Sequence, residues 1–249
     1  MISIITPVLN GSKFIQSNIE SIEKLNIPYE HIIVDGGSSD GTIEIIKKYP
    51  KIILINQTDN SGLYGALHQG ISHSRGKYIG WVNADDFIIP NGYEKLYKSA
   101  DSKNIDLAYS HGFHHHVEDY YYKRFYARLF VRSLLKVGIF PFVQTSVIFS
   151  SSSYNKIGGF NYDKFRLIGD RDLFQRMAYD QSLKFLLVPV FTSVFLRYSG
   201  SLLYRNLDKK NDEHQYCIKT KMNIFHRILF HGSQLFRIVT WHLKKIVKI

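Results

Sequence analysis

Carboxylates gather where several short apolar runs end. Val82-Asn83-Ala84-Asp85-Asp86 closes the run that begins at Tyr78. Adjacent carboxylates repel each other, and a cation must offset that if both are to stay ionised. A magnesium or manganese ion, held through one or two carboxylates and completed by substrate phosphates, would do so. The plain alternative is a solvated turn ahead of Pro90. Asp35-Gly36-Gly37-Ser38-Ser39-Asp40-Gly41-Thr42 follows His31–Val34. Its glycines let the backbone approach a ligand, Asp35 can accept hydrogen bonds from a base or ribose, and Asp40 can cap the next helix. Thr6-Pro7-Val8-Leu9-Asn10 follows the run Ile2–Thr6. Ile168-Gly169-Asp170-Arg171-Asp172-Leu173 opens a stretch with helical periodicity. A carboxylate there is kept ionised by the helix N-terminus and can act as a general base toward a hydroxyl. Asp170 carries that reading, and Asp172 the blander one of a structural cap.

Short buried strands alternating with helices are needed to put these clusters together. Ile2–Thr6, His31–Val34, Ile52–Ile55 and Tyr78–Val82 read as strands. Ser12–Leu25, Gly41–Tyr49, Gly65–Ser74 and Gly92–Ala100 read as helices. That order implies an α/β fold with a mostly parallel central sheet flanked by helices, in which ligands bind beyond the carboxyl ends of the strands. In the second half, Tyr120–Lys136 and Asp170–Tyr179 are expected as helices and Val147–Phe149 and Leu183–Val188 as strands. Neighbouring residues on an extended segment face opposite ways, so His111 and the run His114–His116 are expected on an acceptor-facing loop rather than in a zinc site.

The order of these clusters resembles glycosyltransferase family 2, the inverting family with the Rossmann-like GT-A fold. Ile4–Asn10 is similar to its first strand and donor loop, and Val34–Thr42 to its most recognisable segment. Asp59-Asn60-Ser61-Gly62-Leu63-Tyr64-Gly65-Ala66 is similar to a donor-site turn, with Gly65 where a subgroup carries aspartate. Asn83–Asp86 resembles the Asp-X-Asp metal motif. Gln144-Thr145 and Gly158-Gly159-Phe160 resemble the acceptor-side loop, with Val143 where histidine is frequent. Gly169–Leu173 resembles the acidic catalytic motif, with Gly169 where glutamate is common. The resemblance implies that Thr6 and Asp35 hold the base, with Pro7, Asn10 and Gly36 beside them. Asp59 and Gly62 would face the nucleotide, Asp85 the ribose, Asp86 a Mn2+ or Mg2+ ion, Gln144 the donor phosphate or the acceptor, and Arg197 with Tyr198 the diphosphate. Asp170 would be the base.

With 249 residues and 45% hydrophobic composition the chain can bury a real core. A single cysteine, Cys217, excludes a disulfide framework or a multi-cysteine zinc site. The net charge of +11 favours anionic partners. No nucleic-acid reader motif accompanies it. Tyr120–Tyr122, Phe125 and Tyr126 beside Lys123, Arg124 and Arg128 read first as ordinary packing of an aromatic helix, and would also suit bases, a sugar groove or lipid headgroups. The expected organisation is a catalytic domain over 1–205, its 1–100 half for the nucleotide sugar and its 101–205 half for the acceptor. A basic amphipathic helical tail over 206–249 completes it. No acid occurs after Glu213, and the apolar stripes interleaved with lysines suit an anionic membrane or, alternatively, a second subunit in a homo-oligomer. Neither a leader nor a spanning helix is visible, which predicts a cytoplasmic protein resting on the inner face of the membrane. The function expected is an inverting transferase that takes sugar from a UDP-, GDP- or dTDP-linked donor. Its acceptor is a hydroxyl on a glycan or lipid-linked glycan of the cell surface. A polyprenyl-phosphate sugar synthase and a silent sugar-nucleotide-binding module are the alternatives, and a basic nucleic-acid binder is a further one.

Overall fold

The structure, a computed structural model, describes residues 1–59, 61–202, 206, 208, 209 and 211–213. The amphipathic tail expected after Glu213 lies outside them.

The chain opens with β1 (Ile2–Val8), α1 (Ile15–Glu23), β2 (Tyr29–Asp35), α2 (Thr42–Ile46), β3 (Ile52–Asn56), α3 (Gly62–Ser72) and β4 (Tyr78–Trp81). Strands β3, β2, β1 and β4 lie side by side, all parallel. β1 is central and covered on both faces, which is why Ile2, Ile4 and Ile5 form a nearly continuous apolar run. Each such fully buried side chain contributes about 1.5–3 kcal/mol. Ile5 packs with Leu67 and Ile71 of α3, whereas Ile4 faces the opposite side with Ile22 of α1. The apolar stripe of α1, Ile15, Ile19 and Ile22, has the spacing of one helical face.

The second half departs from the parallel pattern expected. β5 (Phe87–Ile88) and α4 (Pro90–Ser102) are followed by β6 (Leu107–His116), β7 (Tyr121–Phe125) and α5 (Val131–Lys136). Then come a single 3₁₀ turn at Gln144–Ser146, β8 (Val147–Ser150), α6 (Ser151–Ile157), α7 (Gly169–Tyr179) and β9 (Phe185–Arg197). β8 is antiparallel to both β4 and β6, and β9 runs parallel to β6 and antiparallel to β5. The sheet is therefore mixed, all parallel in the first half and mostly antiparallel in the second, where β6 and β9 are the parallel pair. Ser150 caps α6 by accepting the Ser153 N–H.

Two expectations are corrected. Tyr120–Lys136 is not one helix: its first part is β7, and only Val131–Lys136 is helical. The His114–His116 run is not a loop but the end of β6, paired antiparallel with β7. Aromatic side chains favour a pleated surface, and here the rings stack across it, His115 on Tyr122 at 4.1 Å and His116 on Tyr121 at 4.4 Å. The strand expected at Leu183–Val188 continues through Pro189 to Arg197, and this extension brings its end to the aspartate pair.

Candidate active site

Val8 and Asp35 are level with each other at the carboxyl ends of β1 and β2. The loops that follow are laced together. Gly36 N–H donates to Val8 C=O at 2.8 Å. Asn10, at φ +53°, donates from its backbone to Ser38 and accepts the Ser39 N–H on its side chain. Asp40 accepts the Thr42 hydroxyl and the N–H groups of Ser12 and Thr42, and these bonds, the hydroxyl's first, lower its pKa. Asp35 is 4% exposed. Its Oδ2 accepts the Gly37 and Ser38 N–H groups at 2.9 Å, but its Oδ1 is buried with no hydrogen-bond partner among the described residues. A buried acceptor left open is unfavourable, and an N–H brought by a ligand would complete it.

Thr6 does not share this position. It lies inside β1, 0% exposed, and its hydroxyl is 2.9 Å from Nε2 of the buried His31. Pro7 is likewise buried in the strand, opposite Val34. Two residues at the end of a run looked like a loop in the sequence, whereas the strand continues to Val8. The hydroxyl expected to meet the base belongs to the core.

Asp59 and Gly62 form a turn beside this edge. The Asp59 carboxylate accepts the Ser61 hydroxyl and N–H, which lowers its pKa, and Gln57 Nε2 donates to Ser61 Oγ. Gly62 has φ +71°. At Gly65 an added Cβ would sit 1.6 Å from Ser61 Oγ. The aspartate of the family's subgroup would therefore displace Ser61, whose side chain holds the turn here.

The aspartate pair divides into two roles. Asp86 is 1% exposed. Its Oδ1 accepts Leu196 N–H from β9 at 2.8 Å, and its Oδ2 accepts Asn83 Nδ2 at 3.0 Å. Burial first, and the Asp85 charge second, push its pKa well above the usual carboxylate range. Asp85 stands on the partly exposed side of the loop, accepts the Tyr198 hydroxyl at 3.1 Å on Oδ2, and also has a raised pKa from burial. Asn18 of α1 ties the loop down by donating to the Asn83 and Asp86 carbonyls. Gln144 is fixed beside it, donating to Trp81 C=O at 3.0 Å and accepting from Asn83 at 3.4 Å. Two carboxyls with raised pKa values in one loop fit a divalent cation, which would offset their charge. Asp85 is the one whose position would let it bind such an ion. Asp86 joins the loop to β9.

Asp170 lies in the first turn of α7, partly exposed. Its Oδ1 accepts the Arg171 N–H at 2.7 Å and the Tyr64 hydroxyl at 3.0 Å. Burial, followed by the Asp170 charge, raises the Tyr64 pKa well above its ordinary value, so the phenol keeps its proton and donates. Asp172 is fully buried, held by Asn161 at 2.7 Å and by Arg176 at 2.7 Å, and serves packing. The sequence reading missed Tyr64, whose only signal was an aromatic two residues after a turn glycine. It also missed Glu213, read as part of the tail. That carboxylate accepts three consecutive backbone N–H groups, those of Arg166, Leu167 and Ile168, just ahead of α7.

One connected structure joins the clusters. Tyr64 meets Trp81 edge-on at 5.7 Å, and Trp81 Nε1 donates to Asn83 at 2.7 Å. Asp170 is thus linked to the Asp85 loop, and that loop through Asn18 to α1, which follows the β1 loop laced to the Asp35 loop. Arg197 ends β9 next to Tyr198. Among the described residues no three His, Cys, Asp or Glu side chains cluster as a metal site, and no helix is long and apolar enough to cross a membrane.

The chain belongs to glycosyl transferase family 2: the family model matches residues 3–166, well over half its length. It is 34% identical over 112 residues to the uncharacterized glycosyltransferase EpsJ of Bacillus subtilis (strain 168), covering 43% of this chain and 32% of that protein. It is 32% identical over 119 residues to the minor teichoic acid biosynthesis protein GgaA of the same organism, covering 43% and 27%. These alignments take in only about a third or less of the relatives' own length. The fold is GT-A. It is similar to Staphylococcus aureus TarS 1–349 in complex with UDP-GlcNAc, with TM-score 0.63, 17% identity, and 80% and 59% of the two chains covered. It is similar also to the mannosyltransferase PcManGT of Pyrobaculum calidifontis in complex with GDP-Man and Mn2+, with TM-score 0.64, 16% identity, and 93% and 68% covered.

Proposed function

We propose that this glycosyltransferase is metal-dependent and inverting. It moves a sugar from a nucleoside-diphosphate donor to a hydroxyl of a glycan or lipid-linked glycan in cell-surface polysaccharide assembly. The observation that carries this reading is the Asp170–Tyr64–Trp81–Asn83–Asp86 chain of contacts, which ties the Asp170 carboxylate to the loop that carries the partly exposed Asp85.

Asp35 Oδ1 takes an N–H from the nucleobase, with Gly36 and Asn10 shaping the loop around it, and Asp59 and Gly62 flank the nucleotide. Asp85 would hold Mn2+ or Mg2+, with Asp86 behind it fixing the loop to β9. Such an ion supplies charge neutralisation to the departing diphosphate. Arg197 adds cationic charge on that side, and Gln144 bounds the space toward the acceptor. Tyr64 and the α7 N-terminus keep Asp170 ionised and aimed. Asp170 then takes the proton of the acceptor hydroxyl as its oxygen attacks the anomeric carbon from the face opposite the diphosphate. One base is sufficient, so the configuration inverts without a covalent enzyme intermediate. The relatives' names and ligands support this choice of chemistry: nucleotide sugars in the solved structures and a teichoic acid pathway for GgaA.

Titration calorimetry with UDP-, GDP- and dTDP-sugars, with manganese and then with EDTA, tests the proposal. One donor class should bind, more weakly in EDTA, and lose affinity in Asp35→Ala. Absence of binding by every nucleotide sugar in manganese contradicts it.

A further inference from the structure

Large exposed apolar side chains are not spread evenly over this protein. Of the ten among the described residues, six lie in one segment: Tyr120, Tyr121, Tyr122, Tyr126, Leu129 and Phe130. Tyr120 is 87% exposed and Phe130 81%. Both are held in the left-handed backbone region, at φ +52° and φ +58°. That region is disfavoured for any residue with a Cβ, and a bulky aromatic held there points to function rather than packing. From Tyr120 to Arg132 the chain has no acid, and Lys123, Arg124 and Arg128 are exposed with no ion pair among the described residues. β7, in the middle of this segment, pairs with β6 alone. Its other edge is unpaired among the described residues.

A second copy of the chain is a poor occupant of that edge. Antiparallel self-pairing about the middle of β7 would set Lys123 against Lys123, and like charges directly opposite destabilise a sheet. A surface both anionic and able to receive aromatic rings suits it better. Aromatic side chains prefer the interface of a bilayer, and basic side chains beside them are drawn to anionic headgroups. The segment is also well placed. His116 is level with Arg197 of β9, and Leu196 of β9 holds Asp86. β7 is one strand beyond β6, so the segment runs about 10 Å from β9.

We infer that the Tyr120–Phe130 rim is a peripheral anchor for an anionic lipid bilayer, with Tyr120 and Phe130 entering the headgroup region while Lys123, Arg124 and Arg128 meet lipid phosphate. The binding stands independently of the transferase reading. Its use, bringing the active site to a lipid-linked acceptor, rests on that reading.

The test uses the full chain, so that the basic tail is present. In a Cys217→Ser background, which removes the only cysteine, a polarity-sensitive fluorophore is attached at Phe130→Cys or, as a control on the opposite side of the sheet, at Lys48→Cys. Vesicles are phosphatidylcholine alone or with phosphatidylglycerol, with and without spin-labelled lipid. The label at position 130 should shift blue and be quenched only in anionic vesicles, and the label at position 48 should not. Tyr120→Ser with Phe130→Ser, and separately Lys123→Glu with Arg124→Glu, should each lower vesicle partition at least tenfold while the far-ultraviolet circular dichroism is unchanged. The inference is overturned if the chain binds anionic vesicles with position 130 still in water, because another surface then does the binding. It is overturned equally by no vesicle binding, by unchanged partition of both variants, or by a concentration-dependent dimer that buries position 130 without lipid.

Discussion

Removing Asp86 should damage the fold more than it damages metal binding, and removing Asp85 should do the reverse. The Asp86 carboxylate is 1% exposed and accepts two N–H groups, from Leu196 and Asn83. Asp86→Ala leaves the buried Leu196 N–H unmet, at about 1–3 kcal/mol, and removes one part-buried bond from Asn83, which keeps Gln144, at about 1 kcal/mol, or about 2–4 kcal/mol together. Relief of the Asp85–Asp86 repulsion offsets part of this. The offset depends on pH with a definite sign. The Asp86 pKa is raised in the folded state. The stability of the protonated carboxyl is therefore fully present below the unfolded pKa near 3.9 and is lost as pH rises through the folded value. The deficit of the variant should accordingly be larger at pH 5 than at pH 8 in metal-free buffer. Asp85→Ala loses only a partly exposed hydrogen bond to Tyr198 and should fold within about 1 kcal/mol of wild type, yet lose the manganese-dependent part of donor binding. Urea unfolding in EDTA at both pH values, with donor calorimetry beside it, reads all of this. An Asp86→Ala protein within about 0.5 kcal/mol of wild type, the range of an ordinary surface change, would refute the division of roles.

Tyr64→Phe should bind donor normally and slow transfer by roughly tenfold, because Asp170 loses one of its two fixing donors, about 1.4 kcal/mol; steady-state kcat and KM give the answer. His31 is buried and neutral, its pKa pushed down to about 3 by burial. Stability should therefore fall as pH drops from about 6.5 toward 3, and His31→Gln should flatten that slope in acid-unfolding curves. Glu213→Ala should leave the N–H groups of Arg166–Ile168 uncapped, increase their hydrogen exchange and reduce kcat with little change in donor affinity.

The first half of the fold was legible because each strand there is a short apolar run closed by Pro7, Asp35, Asn56 or Asn83, and each helix shows an apolar stripe. The second half was not, because its strands pair over long separations. Leu107–His116 carries too little alternation to declare itself, and Tyr121–Phe125 looks helical until the histidines it stacks on are placed. Asp35 and Asp170 stood out in the sequence because the glycines and the helix start beside them fix the local geometry. The burial of Thr6 and Asp86 did not. Thr6 is buried because β1 runs on to Val8, and Asp86 turns inward because Leu196, 110 positions away, donates to it. Sequence order alone holds no information on that contact.

The central claim, that Asp170 acts as the base of an inverting transfer, is tested most directly by single-turnover transfer with Asp170→Asn. Asparagine keeps the shape and can still accept from Tyr64 and Arg171. The account predicts donor affinity within about twofold of wild type and transfer slower by about 100-fold or more. A variant that binds donor and transfers at the wild-type rate would contradict it.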